Sequence, residues 1–166
     1  INFIKTNFNT NVYIACFTTS HARLRLYNMM ELLGNSVCYC DTDSIIYAEN
    51  EENKQKVKQY LGDSLGEWTD ELDGKHMKLF CSAQPKDYGY VLSNNEIKGK
   101  VKGFRTSAET EYQMTNENRI KLITGALDSI AISQNTFAIA KSQIFTEQMT
   151  KNWCANFDKR VIVKNS

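Results

Sequence analysis

Two carboxylates lie two positions apart in the chain, at Asp41 and Asp43. Hard divalent cations such as Mg²⁺ prefer oxygen ligands and commonly take one or two carboxylates, while substrate phosphates and water complete the coordination shell. Two such ions roughly 3.5–4 Å apart can stabilise the attacking and the leaving oxygen of a phosphoryl transfer together. One short motif does not hold both ions, and the residues before Asp41 contain a single acid, Glu31. The pair therefore predicts part of a metal site for phosphate chemistry, which needs a further carboxylate from a neighbouring strand.

The string Asp-Thr-Asp-Ser has other interpretations. An acidic turn is a common use of these residues, because Asp and Ser hydrogen-bond to nearby backbone groups. An EF-hand loop would need Gly at its sixth position, where this chain has Ile46, although Glu52 suits its twelfth. A D-x-D transferase that acts on sugar nucleotides stays open from the spacing alone.

The segments around the two aspartates predict how they are held. Apolar residues recur at spacings of three and four from Asn11 to Leu33, which indicates a helix with Gly34 as its stop. Two short runs rich in Val, Tyr and Ile follow, Ser36–Cys40 and Ser44–Ala48. They predict a β-hairpin with the carboxylates at its tip, where paired strands hold a ligand rigidly and leave it exposed to a triphosphate.

The rest of the chain alternates helical and strand patterns, so the predicted fold class is α+β. An amphipathic helix is predicted from Glu51 to Leu61, ended by Gly62, and a second helix from Asn116 to Leu127. Past Gly103 the residues are mostly polar and their pattern favours helix. A domain boundary is therefore expected near Arg105, between a mixed portion of sheet and helix and a smaller C-terminal portion. Strands are predicted over Glu67–Leu72, His76–Ser82, Asp87–Leu92, Glu96–Val101 and Lys159–Val163.

Composition narrows the class of protein. The 166 residues are 42% hydrophobic and 23% charged, as in a globular domain, and no apolar run approaches the roughly 20 residues of a membrane span. The N-terminus does not have the pattern of a secretory signal, and five scattered cysteines suit a reduced nuclear or cytoplasmic setting rather than secretion. Because 20 basic residues face 19 acidic ones, any contact with DNA must come from a local basic cluster.

Beyond the two aspartates, a longer stretch of sequence resembles the end of the palm in family B DNA polymerases. A helix with a T-x-x-A-R pattern at Thr19–Arg23 precedes the motif Y-x-D-T-D-S, which Tyr39–Ser44 match at every fixed position. Downstream, LGEWTDEL, PKDYGY, KVKGF and DKRVIV follow in the order seen in protein-primed members, especially those of self-synthesising DNA transposons and linear plasmids. The resemblance covers nearly the whole chain and is weakest from about Thr106 to Phe157.

The resemblance implies a fold and an activity. Residues 1–105 would form the C-terminal part of a palm, an antiparallel sheet with packed helices, and residues 106–166 a small thumb-like region. The implied enzyme is a DNA-directed DNA polymerase, a nucleotidyltransferase that uses two Mg²⁺ ions. It would add deoxynucleotides to a primer 3′-hydroxyl by attack on the α-phosphate and release pyrophosphate.

The resemblance also assigns roles within the Y-x-D-T-D-S motif. Asp43 would be the catalytic metal ligand, with Asp41 as a supporting acid close to the metal. The remaining motif residues, Tyr39, Thr42 and Ser44, would lie beside the incoming nucleotide and the primer terminus.

Downstream, the resemblance points to DNA contacts. Lys86 and Tyr88 match the K-x-Y element that contacts the primer end in the family. Lys100 and Lys102 match basic positions that hold primer–template DNA, and Gly103 would allow close backbone approach. Alternating lysines give a strand one basic face, which suits phosphate contacts, and a solvated edge strand would have the same pattern.

Two further family motifs do not occur in these 166 residues: a strand of the D-x-x-S-L-Y-P kind and a fingers helix of the K-x-x-x-N-S-x-Y-G kind. The expectation is therefore a fragment that is inactive alone, from a parent enzyme whose partners are primer–template DNA, deoxynucleoside triphosphates and, in protein-primed members, a terminal protein, with no membrane. The second hypothesis is a non-catalytic DNA-binding relic of a mobile element. Trp68 and Tyr90 could stack on bases, but core packing is the favoured interpretation of both.

Overall fold

The computed structural model describes residues 11–105, 107–140 and 143–156. The chain divides into two compact units, Ile1–Glu71 and Leu72–Ser166. The described residues form helices and three small antiparallel sheets, so the α+β class predicted from sequence is confirmed. The expected division near Arg105 between palm and thumb stays a prediction.

A long helix opens the first unit. Helix α1 spans Val12–Leu33, and the Asn11 side chain caps it by accepting a hydrogen bond from the Ile14 N–H at 3.1 Å. The helix ends at Gly34, whose φ of +53° suits glycine and whose N–H donates to the Met30 carbonyl. Both the helix and its stop were predicted from the sequence.

The apolar stripe of α1 is buried over its C-terminal half. Leu26, Met29 and Leu33 are buried there. In the N-terminal half, by contrast, Val12 and Phe17 are exposed. The recurrence of apolar residues thus predicted the helix correctly. Only its C-terminal half buries those residues in the described structure.

A hairpin and a short helix complete the first unit. Strands β1 (Val37–Asp41) and β2 (Ser44–Tyr47) pair antiparallel, as predicted, and helix α2 follows at Glu51–Lys58. The core consists of side chains from both helices, with the hairpin packed against it. Its members are Met29, Leu33 and Val57, with Leu32, Val37, Ile45, Tyr47 and Trp68 against them. Trp68 therefore has the packing role favoured for it.

Two predictions for residues 51–72 differ from the structure. Helix α2 ends at Lys58 rather than Leu61, because the next residues turn back and Leu61 forms an isolated bridge with Trp68. The predicted strand Glu67–Leu72 is wrong. Within this stretch only Trp68 forms a bridge, with Leu61, and the chain turns from residue 71 to residue 74, so among the described residues there is no partner strand for it to pair with along its length.

The second unit opens with a three-stranded sheet. Strands β3 (Met77–Gln84), β4 (Asp87–Leu92) and β5 (Ile97–Val101) lie in chain order, each antiparallel to the next. The sequence predicted all three within two residues of their ends. The tight turns between them use Pro85 with Lys86, and residues 93–96.

Two helices and a long ribbon follow. Helix α3 is the short segment Ala108–Glu111, helix α4 spans Asn116–Ile123, and strands β6 (Ile130–Ala140) and β7 (Gln143–Trp153) pair along their whole length. Leu122, Ile132 and Trp153 form the core of this unit.

The sequence-based prediction for this region was partly wrong. Helix α4 was predicted to Leu127 but stops before Gly125, whose φ is +73°. The ribbon was missed, because polar and apolar residues do not separate onto its two faces: Gln134 is buried, whereas Phe137 and Ile139 are exposed. The predicted strand Lys159–Val163 lies outside the described residues. None of the helices in the described part of the chain combines the length and apolar character that crossing a lipid bilayer demands.

Candidate metal-binding hairpin and nucleic-acid interface

The first candidate site is the tip of the β1–β2 hairpin. Asp41 is the last residue of β1 and pairs with Ser44, so Thr42 and Asp43 form the two-residue turn. Thr42 has φ of +57°, and the Asp43 N–H donates to the Asp41 carbonyl at 2.6 Å. The prediction of carboxylates at a hairpin tip is confirmed, and the tip is too tight for a twelve-residue calcium loop because its sixth position already lies in β2.

The two carboxylates have different surroundings. Asp43 is exposed at the turn, whereas Asp41 is half-buried and accepts a hydrogen bond from the Thr42 hydroxyl at 3.1 Å. The Ser44 hydroxyl donates to the Asp41 backbone carbonyl at 3.1 Å, which closes the turn. Tyr39 lies two residues before Asp41 on β1, so the two side chains point to the same face of the hairpin.

The hairpin fits one cation in part. Asp43 is exposed and can present both oxygens to an ion from solvent, and Asp41, two residues before it at the end of β1, is a further carboxylate of the tip. Among the residues that the structure describes, no three His, Cys, Asp or Glu side chains come together in a group that could hold a metal ion. A complete two-metal site would therefore need carboxylates from outside this set.

The second candidate site lies on the three-stranded sheet of the second unit. Tyr88 pairs with Lys100 and Tyr90 with Lys98 across β4 and β5, and Phe80 pairs with Tyr90 across β3 and β4. Since alternate residues of a strand share a face, these five side chains form one surface, here called the basic-aromatic face. Tyr88 and Tyr90 stack with ring centroids 6.3 Å apart and planes 12° apart. Tyr90 thus lies on a surface rather than in the core, contrary to the favoured interpretation.

The basic-aromatic face is concave and carries mixed charge. Its shallow groove of about 370 Å³ is lined by Tyr88, Tyr90, Lys98, Lys100 and Glu111, with Ile97 and Gly99. Lys98 pairs with Glu96 at 3.2 Å, and this hydrogen bond lowers the pKa of the Glu96 carboxyl. Within the described part of the chain Lys100 has no ion-pair partner, so its charge is available to a phosphate.

Three of the residues predicted to contact DNA meet at one end of this sheet, Lys86, Lys102 and Gly103. Lys86 lies in the β3–β4 turn with φ of +62°, and its carbonyl accepts the Lys102 N–H at 2.8 Å. Gly103 follows with φ of +87°, a conformation that favours glycine. The Lys151 ammonium donates to the Gly103 carbonyl at 2.8 Å, which adds a basic residue that the sequence did not single out.

The opposite face of the sheet carries a buried ion pair that sequence reasoning missed. Asp87 is fully buried, and its Oδ1 accepts from Arg119 Nε at 2.9 Å while its Oδ2 accepts from Trp153 Nε1 at 2.7 Å. Arg119 Nη1 also donates to Asn116 Oδ1 at 2.8 Å. The guanidinium carbon lies 5.2 Å from the Trp153 ring centroid, within range of a cation–π contact.

Two small residues let this ion pair approach the sheet. A Cβ added to Gly89 would collide with the side chains of Asn116 and Arg119, so both would have to move to make room for a larger residue. Cys81 pairs with Gly89 across β3 and β4, and burial raises the pKa of its thiol, with Arg119 acting against that rise. One sequence signal could have indicated the ion pair. Asp87 is an acidic residue between Lys86 and Tyr88, the two residues predicted to contact the primer end.

The described residues thus define an α+β chain with an acidic hairpin tip in one unit and a basic, aromatic sheet face in the other. Comparison with protein-family models, with curated proteins and with solved structures finds no match to this chain.

Proposed function

We propose that this chain is the C-terminal palm and thumb-like part of a protein-primed family B DNA polymerase. The observation that carries the proposal is the pairing of Tyr88 with Lys100 and the contact of Lys86 with Lys102. These residues come from PKDYGY and KVKGF, which are separate in sequence and adjacent in the sheet. Their convergence is what a single contact surface for a primer end requires.

The proposed DNA contact follows from the chemistry of this surface. Lysine ammonium groups at Lys86, Lys100 and Lys102 suit phosphate oxygens, which fix the position of DNA without reading its sequence. Tyr88 and Tyr90 offer ring faces at the groove, and aromatic rings stack on bases of any identity. Glu111 on the rim disfavours phosphate at that side, so the DNA backbone is expected to run past the lysines at the other end.

The acidic hairpin has the complementary role in this proposal. Asp43, supported by Asp41, would hold a Mg²⁺ ion, which when bound supplies charge stabilisation to a triphosphate. Tyr39, Thr42 and Ser44 shape the tip that would face the nucleotide, and Ser44 fixes the turn through the Asp41 carbonyl. The remaining carboxylate would come from a D-x-x-S-L-Y-P strand of the parent enzyme.

Fluorescence anisotropy with three DNA ligands of equal length tests the DNA contact: a 3′-recessed primer–template, a blunt duplex and a single strand. We expect the recessed end to bind most tightly and Lys86→Gln to remove that preference. Lys121→Gln is the matched control, because Lys121 makes the same charge change on α4, which packs against strands β3 and β4 on the other side of the sheet. Equal binding of recessed and blunt DNA by the unmodified chain would contradict the polymerase assignment.

The metal role has its own test. Fe²⁺ with ascorbate cleaves a polypeptide next to the position where the ion binds, and we expect cleavage close to Thr42 that Mg²⁺ suppresses. Asp43→Asn should abolish it, whereas Asp63→Asn, an exposed acid of the same unit, should not. Cleavage that persists in Asp43→Asn would exclude Asp43 as the ligand.

A non-catalytic DNA-binding protein is the second candidate. The observation in its favour is that the basic-aromatic face and the neighbouring lysines all lie within Leu72–Ser166, so they do not depend on the acidic hairpin. It predicts salt-dependent DNA binding without preference for a recessed end and without localised cleavage at the tip.

A further inference from the structure

Asp87 stands between the two residues that the proposed function assigns to the primer end, Lys86 and Tyr88. Side chains alternate along a strand, so holding Asp87 on the buried face directs Tyr88 to the opposite face. The Tyr88 ring there stacks with Tyr90 and lies opposite Lys100. Whatever fixes Asp87 thus also fixes the residues on both sides of it.

The contacts of Asp87 are directional. Each carboxylate oxygen receives one donor, and the donors come from two different elements, Arg119 on α4 and Trp153 on β7. Apolar packing at this position would fill the same space without defining an angle, and buried ion pairs add little stability beyond well-packed apolar groups. The hydrogen bonds do define the angle, which is the property that an aligned contact surface needs.

The backbone at Lys86, in the tight turn before Asp87, is constrained as well. A lysine with φ of +62° is in a conformation that L-residues other than Gly, Asn and Asp seldom adopt. Such a residue persists where its surroundings determine it on both sides. Here the buried Asp87 follows directly, and the Lys102 N–H holds the Lys86 carbonyl at 2.8 Å.

We propose that Asp87, Arg119 and Trp153 form a positioning anchor, which sets the orientation of Lys86 and Tyr88 on the DNA-contact surface. The inference rests on the proposed function for the identity of the ligand. Arg119 and Trp153 touch no DNA in this proposal and act through Asp87 alone.

A double-mutant cycle tests the anchor. Trp153→Phe removes the indole donor to Asp87 and keeps an aromatic ring, and it is measured with Lys86 present and in the Lys86→Gln background. We expect Trp153→Phe to weaken primer–template binding and to reduce the salt slope by about 0.9, the value for one lost phosphate contact. In the Lys86→Gln background it should have no further effect. An equal loss in both backgrounds would overturn the proposal, because the effect would not pass through Lys86.

Hydrogen exchange gives a readout without DNA. In Trp153→Phe the Lys102 amide, which donates to the Lys86 carbonyl, should exchange faster, while the Leu92 amide, which donates to Glu96 at the other end of the sheet, keeps its protection. If the unmodified chain binds no DNA, the proposed function fails. The exchange rate of the Lys102 amide in Trp153→Phe then tests by itself whether the anchor positions Lys86. Unchanged Lys102 exchange would overturn it.

A second variant guards against simple unfolding. Asp87→Leu combined with Arg119→Met replaces the ion pair by apolar groups of similar volume, which buried ion pairs often tolerate. If the Leu92 amide keeps its protection from exchange in this double variant, we expect the same two effects as in Trp153→Phe: faster exchange of the Lys102 amide and weaker primer–template binding. If both variants lose Leu92 protection as well, the three residues stabilise the whole sheet, and the proposal of a specific positioning role is wrong.

Discussion

At the scale of single residues, Lys86 combines an unfavourable backbone with a proposed DNA contact. Its φ of +62° costs a lysine about 1 kcal/mol relative to a residue that adopts this conformation easily. The backbone of this turn alone would favour Asn or Gly at this position. The proposed DNA contact of the ammonium group would account for a lysine there.

Two substitutions at Lys86 separate charge from strain. Lys86→Asn removes the charge and relieves the strain, because Asn tolerates the left-handed region, whereas Lys86→Gln removes the charge alone. We expect both to weaken DNA binding equally and Lys86→Asn to raise the free energy of unfolding by about 1 kcal/mol. Urea denaturation and anisotropy measure the two quantities. Tighter DNA binding by the more stable Lys86→Asn variant would contradict a role for the charge.

At the scale of elements, the fit between the sheet and α4 depends on a glycine in β4. A Cβ on Gly89 would meet Asn116 and Arg119, and Arg119 has little freedom to move because Asp87 and Trp153 hold it. Because Gly89 has no side chain, Asn116 and Arg119 of α4 can pack directly against β4.

Gly89→Ala should therefore destabilise the second unit by about 1–3 kcal/mol, the usual range for overpacking a filled core. Gly99→Ala is the matched control. Gly99 lies opposite Gly89 on β5, and an added Cβ there would lie 3.3 Å from the Tyr88 carbonyl and 3.6 Å from Arg119 Nη2, without the collision that Gly89 would meet. Thermal denaturation compares the two variants. An equal loss at both positions would show that strand propensity rather than the collision with Asn116 and Arg119 is responsible.

The sequence predicted the elements whose signals are local. Helix α1 has a cap at Asn11 and a stop at Gly34, the hairpin has its turn at Thr42 and Asp43, and the strands of the sheet carry β-branched and aromatic residues between turn formers. The site residues on those elements were correctly located on a hairpin tip and on strands. Their roles remain predictions.

The elements that were missed depend on contacts distant in sequence. The β6–β7 ribbon has polar residues such as Gln134 and Thr136 at positions where a short-range pattern favours a helix or loop. Ile132 and Trp153 are buried because Leu122 of α4 packs on them. Likewise, the ion pair of Asp87 joins residues 32 positions apart, and no local pattern reveals such a pair.

At the scale of the whole molecule, each unit has its own core and its own tryptophan, Trp68 in Ile1–Glu71 and Trp153 in Leu72–Ser166. Among the described residues, each unit also contains a half-buried group whose pKa is raised by its surroundings. Burial raises the pKa of Cys81 above 9.0 in the second unit, and burial with the Glu49 carboxylate raises that of Tyr47 above 10.0 in the first.

These shifts predict how stability depends on pH. A raised pKa means that the folded state keeps its proton at a pH where the unfolded chain loses it. The stability that Cys81 contributes is therefore complete below the ordinary thiol pKa of 9.0 and is lost as the pH rises above it. In the Trp68→Phe variant, Trp153 emission alone reports urea unfolding of the second unit.

We expect the urea midpoint in this variant to fall between pH ~8 and ~10, and Cys81→Ala to reduce that fall. Tyr47→Phe is the matched control, because it removes the other raised group, which packs in the core of the first unit, and the fall reported by Trp153 should stay the same. If Cys81→Ala left the pH dependence unchanged, titration of the thiol would not be its source. A reduced fall would identify the half-buried Cys81 thiol as a group whose pKa is higher in the folded state than in the unfolded chain.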